Sequence, residues 1–190
     1  MIPRWLPNAL SLARIGLVPV WLALAFDARA RSLDGHAVDN FPIVLLLIVL
    51  GATDVIDGQL ARRYALETNL GATLDAVADK LATFIGTTFL TFFPSPAFTS
   101  LPWWLWASLL LRDALLGTGW VCVWLRHRAV HVKHEWHGRL SSLLLFAVVV
   151  AATARAPAAF VIGGSALVLV LVIPGTWAYM REGWRQLQAD

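Results

Sequence analysis

The sequence predicts an all-α fold: a polytopic membrane protein built as a bundle of six transmembrane helices. Three observations lead there. Of 190 residues, 58% are hydrophobic and only 14% charged, where a water-facing domain carries about 45–50% and about 25%. The mean hydropathy is +0.68. The apolar residues gather into runs that approach the roughly 20 residues needed to cross a bilayer. A backbone in hydrocarbon must satisfy its own amides, which selects helices.

The spans are expected near residues 9–26, 41–56, 76–93, 103–125, 140–154 and 158–180. The first follows Pro7 and Asn8. Arg14 interrupts its apolar core, and further spans follow, so it reads as a retained helix rather than a cleaved secretory leader. The second runs from Phe41 to Ile56 and the third from Ala76 to Phe93. The fourth opens on Trp103, Trp104 and Trp106, ring systems that settle at a membrane interface. The fifth begins at Leu140. The sixth carries Gly163, Gly164 and Pro174, which are expected to bend it. No internal repeat or long linker divides the chain, so residues 1–190 are expected to form a single domain.

Orientation follows from the loop cations. With six spans both termini share one side. That side carries Arg4, Arg62, Arg63, Arg126, Arg128, Lys133, Arg139, Arg181 and Arg185, against Arg29, Arg31 and Arg155 on the other. Nine against three puts the termini in the cytoplasm, in a bacterial inner membrane. The net charge of +3 is expected to meet anionic lipid rather than nucleic acid. The lone Cys122 excludes an intramolecular disulfide and a thiolate metal cluster.

Between the second and third spans lies a cluster of acids. Asp54 and Asp57 are expected to end one helix, and Asp75 and Asp79 to begin the next. Each pair shares a helix face at its spacing of three or four. These positions hold four of the chain's twelve acidic residues, within 26 consecutive residues. Four carboxylates aimed into one cavity would repel, and a divalent cation relieves that repulsion. An all-oxygen donor set suits Mg2+, Mn2+ or Ca2+ rather than zinc or copper. Two such ions about 3.5–4 Å apart would clamp a displacement at phosphorus. Gly58 and Gly71 admit close approach of a ligand. Arg62, one turn beyond Gly58, offers a bidentate fork to phosphate.

Written out, the segment is D-x2-D-G-x2-A-R-x8-G-x3-D-x3-D, carried by Asp54, Asp57, Gly58, Ala61, Arg62, Gly71, Asp75 and Asp79. In this pattern the chain resembles the CDP-alcohol phosphatidyltransferase family, matching every fixed position of its signature. The length and six expected spans extend the resemblance over nearly the whole chain. The resemblance implies a six-helix bundle, usually dimeric, that moves a phosphatidyl group from CDP-diacylglycerol to an alcohol and releases CMP. It implies Mg2+ or Mn2+, two ions, held by Asp54, Asp57, Asp75 and Asp79, with Asp79 also the general base. It implies that Gly58, Ala61, Arg62 and Gly71 line the nucleotide site.

The acceptor is less sharply written. Pro7-Asn8-Ala9-Leu10-Ser11-Leu12-Ala13-Arg14 resembles the opening of phosphatidylglycerophosphate synthases and CMP-forming cardiolipin synthases. Asn8 and Arg14 either line the cavity or serve an interfacial anchor. Arg112-Asp113 is either a bundle-locking pair or a contact to an anionic acceptor. Arg112, Lys133 and Arg139 are the candidate acceptor-binding cations. Two departures weaken the case for glycerol 3-phosphate: Trp120 stands where a second Arg is usual, and Ser141 where a second Lys is. Glycerol 3-phosphate remains the first expectation and phosphatidylglycerol the second. His127, His131, His134 and His137 lie among Arg126, Arg128 and Lys133, so they are read as a solvated basic segment rather than a zinc site. A reading from a different class, a small metal or solute transporter, is opposed by the clustering of the acids at one membrane face.

Overall fold

The computed structural model describes residues 6–63, 69–125 and 136–188, and the side chains of residues 12–53, 77–119, 121, 140–177, 180, 181 and 185. The described residues form six helices and no strand: α1 (Leu6–Leu33), α2 (Phe41–Arg63), α3 (Asn69–Phe92), α4 (Trp103–Leu125), α5 (Trp136–Thr153) and α6 (Ala158–Gln188). Each expected span falls on one of them to within a residue, and α2, α4 and α6 start where the apolar runs start. Several helices outrun their spans. α2 continues past Ile56 because Leu60, Ala61, Arg62 and Arg63 are strong helix formers whatever their polarity. Asp54 and Asp57 therefore lie inside α2 rather than at its end, and Asp75 lies in the second turn of α3. Pro174 sits within α6, and Pro19 within α1, without ending either helix.

Among the described residues one stretch, Ala158–Trp177, is long and apolar enough to cross a membrane. Its mean hydropathy is 2.3, and only 22% of it is buried. The apolar stretches Phe41–Thr53 and Leu140–Thr153 are shorter. Charged residues such as Arg14 on α1, Lys80 on α3 and Arg112 on α4 interrupt the others.

The chain divides into two compact units. The first comprises Met1–Ser100 with Val149–Pro157, the second Leu101–Val148 with Ala158–Asp190. In the first unit α1 packs against both α2 and α3. Its buried stripe is Arg14, Val18, Trp21, Ala25 and Ala28, the spacing of one helix face. Ile43, Leu47 and Leu50 form the buried stripe of α2. Phe89 of α3 is the aromatic hub. Trp21 and Phe26 meet it edge-on at 5.8 and 5.0 Å, Phe98 edge-on at 5.7 Å, and Phe93 stacks at 5.7 Å. Arg29 lies 5.9 Å from the Phe93 ring centre, within cation–π range.

In the second unit α4 packs against α6. Val161, Ser165, Val168 and Val172 make the buried stripe of α6, while Phe160, Leu167, Val170 and Trp177 are exposed. Ser165 donates to the Val161 carbonyl at 2.7 Å, which removes its hydroxyl from the apolar interior. Gly164 is needed for its lack of a side chain: a Cβ there would stand 2.7 Å from Val148 Cγ2.

Candidate active site

The eight motif positions fall on two helices of the first unit. Asp54, Asp57, Gly58, Ala61 and Arg62 are on α2, and Gly71, Asp75 and Asp79 on α3. Residues three or four apart on a helix occupy neighbouring positions one turn apart, so the helical backbone preserves the expected pairing of Asp54 with Asp57 and of Asp75 with Asp79. The side chains from Asp54 to Asp75 lie outside the described residues. Asp79 is described: it is exposed and engaged with a partner. Its neighbour Ala78 is fully buried, so the α3 backbone at Asp79 is anchored in the core while the carboxylate stays accessible.

α1 is the shared neighbour of the two motif helices. The short connection between Leu33 and Phe41 makes α1 and α2 antiparallel. At about 1.5 Å per residue, Arg14 stands roughly 28 Å along α1 from Leu33, and Asp54 to Asp57 stand roughly 20–24 Å along α2 from Phe41. Arg14, only 4% exposed, thus lies in the half of α1 remote from that connection, as Asp54 and Asp57 do in α2. Arg14 interacts with a partner, as a buried guanidinium must. Of the two N-terminal candidates, then, Arg14 is an interior residue of the helix that packs on both α2 and α3. Asn8 lies where no side chain is described.

The acceptor candidates belong to the second unit. Arg112 is half-buried on α4, beside a half-buried Asp113 that is itself engaged. Arg139 lies in the first turn of α5, and its side chain is outside the described residues, as is all of Lys133 and His127, His131 and His134. Ser141 is 3% exposed and engaged. The uncharged residue at this position is therefore interior.

At the opposite end of α2 lies a polar tie with little trace in the sequence. Asn40 is 8% exposed. Its Nδ2 donates to the Ala97 carbonyl and, at 2.9 Å, to the Thr153 carbonyl. Thr99 N donates to the Ala152 carbonyl at 2.9 Å, and Thr99 Oγ1 to the Ala156 carbonyl at 2.7 Å. These bonds join the segment before α2, the segment after α3 and the end of α5. The local signal, Asp39-Asn40 before Phe41, reads as an ordinary helix start.

A sequence profile of the CDP-alcohol phosphatidyltransferase family matches residues 4–177. The chain is 37% identical over 116 residues to a CMP-forming cardiolipin synthase of Streptomyces coelicolor, covering 58% of this chain and 47% of that protein. It is 38% identical over 82 residues to the CDP-diacylglycerol–glycerol-3-phosphate 3-phosphatidyltransferase of Rickettsia prowazekii, 42% of this chain and 40% of that one. It is 36% identical over 81 residues to the Bacillus subtilis protein of the same name, with 40% and 42% covered. The matches span about half the length of these relatives. The profile match takes in α1 to α5 and most of α6, together with all eight motif positions, and on that ground the chain belongs to the CDP-alcohol phosphatidyltransferase family.

Proposed function

We propose that this chain is an integral membrane enzyme that transfers the phosphatidyl group of CDP-diacylglycerol to an alcohol and releases CMP. The observation that carries the proposal is the complete eight-position motif on α2 and α3, two helices packed on the same α1. In the reaction the acceptor hydroxyl oxygen bonds to the phosphatidyl phosphorus, and the bond from that phosphorus to the CMP oxygen breaks. The hydroxyl proton passes to Asp79. Its exposed carboxylate suits a base that must meet a substrate hydroxyl. Gly58, Ala61, Arg62 and Gly71 hold the cytidine diphosphate. Arg14 supplies interior positive charge on the helix that packs against both motif helices.

The donor set of Asp54, Asp57, Asp75 and Asp79 is anionic and all-oxygen, which fits Mg2+ or Mn2+. Two such ions bound there would supply the charge that the pyrophosphate and departing CMP require. All six helices cross or enter the bilayer, with termini and active site on the cytoplasmic face of a bacterial inner membrane, and the enzyme works as a homodimer. The loop cations support this orientation, and the exposed apolar residues of α6 support burial in lipid.

Glycerol 3-phosphate is the first acceptor proposed, giving a phosphatidylglycerophosphate synthase, with Arg112, Lys133 and Arg139 as acceptor contacts. The Rickettsia and Bacillus relatives carry names of that activity. Phosphatidylglycerol is the second. It is favoured by the interior, uncharged Ser141 and by the cardiolipin synthase of Streptomyces coelicolor. An acceptor panel tests both. Purified protein is incubated with CDP-diacylglycerol, Mn2+ and each alcohol, CMP release is followed, and the lipid product is identified by mass spectrometry. Release with neither acceptor overturns both assignments.

A further inference from the structure

α6 is longer than a hydrocarbon layer is thick. Its apolar stretch Ala158–Trp177 has 20 residues and a mean hydropathy of 2.3. That is about 30 Å of helix, the thickness of the hydrocarbon core. The helix continues to Gln188, so roughly 16 Å of it stands beyond that stretch. Arg181 and Arg185 lie there, one turn and two turns past Trp177. All of these residues belong to the second unit. Three features indicate what the two arginines meet.

The first is the face they occupy. The buried stripe of α6 is Val161, Ser165, Val168 and Val172. At about 100° per residue, Arg181 stands about 180° around the helix from Val172. Leu167, Val170, Trp177 and Arg185 fall within about 40° of that line. Leu167, Val170 and Trp177 are 57%, 64% and 69% exposed, and both arginines are exposed. One continuous face thus turns away from the core of the unit. It is apolar for the length of a bilayer, aromatic at the edge and cationic beyond. The second feature is charge without a counterion. Among the described residues neither Arg181 nor Arg185 makes an ion pair, whereas the exposed Asp27 and Arg31 of α1, also four apart, do.

The third is direction. Side chains on a helix lean toward its N-terminus. For Arg181 and Arg185 that is the direction of the apolar stretch, so both lean back toward the membrane edge. A long arginine stem closes the remaining distance by snorkelling. The helix dipole accounts for one of the two cations: Arg185 lies in the last turn, where positive charge meets the carbonyl end. Arg181 lies further back, and the dipole effect fades within that last turn.

We propose that this face of α6 is a binding site for an anionic phospholipid of the surrounding bilayer. The acyl chain lies along Leu167, Val170 and Trp177, and the guanidinium groups of Arg181 and Arg185 hold the headgroup phosphate. A guanidinium presents paired N–H donors that match a phosphate oxyanion. Two positive charges select a headgroup with net negative charge, and they repel the ammonium of a zwitterionic one. A second copy of the chain fits the face less well. A twofold axis along the membrane normal would set the same face of the copy, with its own two arginines, against these. The site rests on the membrane reading above and is independent of the acceptor and the metal ions.

The test uses the full chain reconstituted in phosphatidylcholine bilayers, with incorporation checked by flotation. The emission of Trp177 is taken as the difference between the parent and Trp177→Phe, and brominated lipids quench it on contact. The anionic probe is brominated phosphatidylmethanol, a phosphodiester with no hydroxyl to accept a phosphatidyl group. The zwitterionic probe is brominated phosphatidylcholine. An arginine near the surface contributes about fivefold in preference for anionic lipid. The anionic probe is therefore expected to half-quench Trp177 at a mole fraction at least about fivefold lower than the zwitterionic one. Arg181→Gln combined with Arg185→Gln keeps helix propensity and is expected to shrink that ratio below about twofold. Salt at about 0.5 M should shrink it in the parent as well. Equal quenching by both probes in the parent, or an unchanged ratio in the double variant, overturns the proposal. Quenching by neither probe means that protein covers the face, and overturns it too. CMP release is measured on the same bilayers, and its absence beside an intact lipid preference counts against the enzyme reading alone. Failure to float overturns the membrane reading together with the lipid site, whereas flotation with equal quenching overturns the lipid site alone.

Discussion

The two ends of α2 handle polar groups in opposite ways. At its start, Asn40 and Thr99 donate to carbonyls of two other segments, Ala97 in one and Ala152, Thr153 and Ala156 in the other. Further along, Asp54 and Asp57 belong to a set of four carboxylates in one motif. Groups that satisfy one another hold a fold together and need nothing further. A set of like charges cannot satisfy itself and calls for a third party, which the function proposed above makes cations and a pyrophosphate. The first end should therefore govern stability and the second turnover, and substitutions at each should separate the two.

The largest effect is expected at the motif. Asp79→Asn should lower CMP release by about 10²–10⁴-fold, the range for a lost general base, while the thermal midpoint moves by less than about 2 °C. A parallel fall in stability would mean that Asp79 belongs to the structure instead. Chelation by EDTA should abolish turnover of the unaltered protein, and Mn2+ should restore it. Activity that persists in excess chelator would remove cations from the scheme.

Next comes the tie itself. Asn40→Ala strands the Ala97 and Thr153 carbonyls, at a cost of about 1–3 kcal/mol for each unsatisfied group, or roughly 4–24 °C for the two together in a chain of this length. Activity per folded molecule at low temperature should remain within about twofold of the parent. A selective loss of turnover would break the contrast between the two ends.

In the second unit, Gly164→Ala puts a Cβ against Val148 Cγ2 and should cost about 1–3 kcal/mol as overpacking. Val148→Ala in the same chain should return part of that loss. The smallest pair concerns the two Schellman turns that end α1 and α5. Gly35→Ala should destabilise by about 1 kcal/mol, because its φ of 81° disfavours a Cβ. Arg155→Gly should stabilise slightly, by about 0.5–1 kcal/mol, in lipid-free detergent. Opposite signs at equivalent positions would show that the left-handed backbone sets the cost at both.

Much of this was legible along the chain. Apolar runs announced the helices, since hydropathy is a local property, and Phe41, Trp103 and Ala158 mark starts that the structure keeps. Helix ends were less legible. α2 runs on to Arg63 because helix propensity and membrane hydropathy are different quantities, and apolar runs report only the second. The motif was legible because its chemistry lies in residue type and spacing. Arg14 carried a resemblance but no depth. Its burial depends on α1 lying against both α2 and α3.

The sequence by itself determined the all-helical class, the family and the eight motif positions, because periodicity, apolarity and fixed spacing are written between near neighbours. Only the tertiary structure decided that Asn40 answers carbonyls 57 and 113 residues away, that Gly164 must stay bare, and that Asp39 and Arg155 share one pocket without pairing. Contacts between distant segments depend on where helices cross and loops turn, and no local pattern encodes the partner that a side chain will meet there.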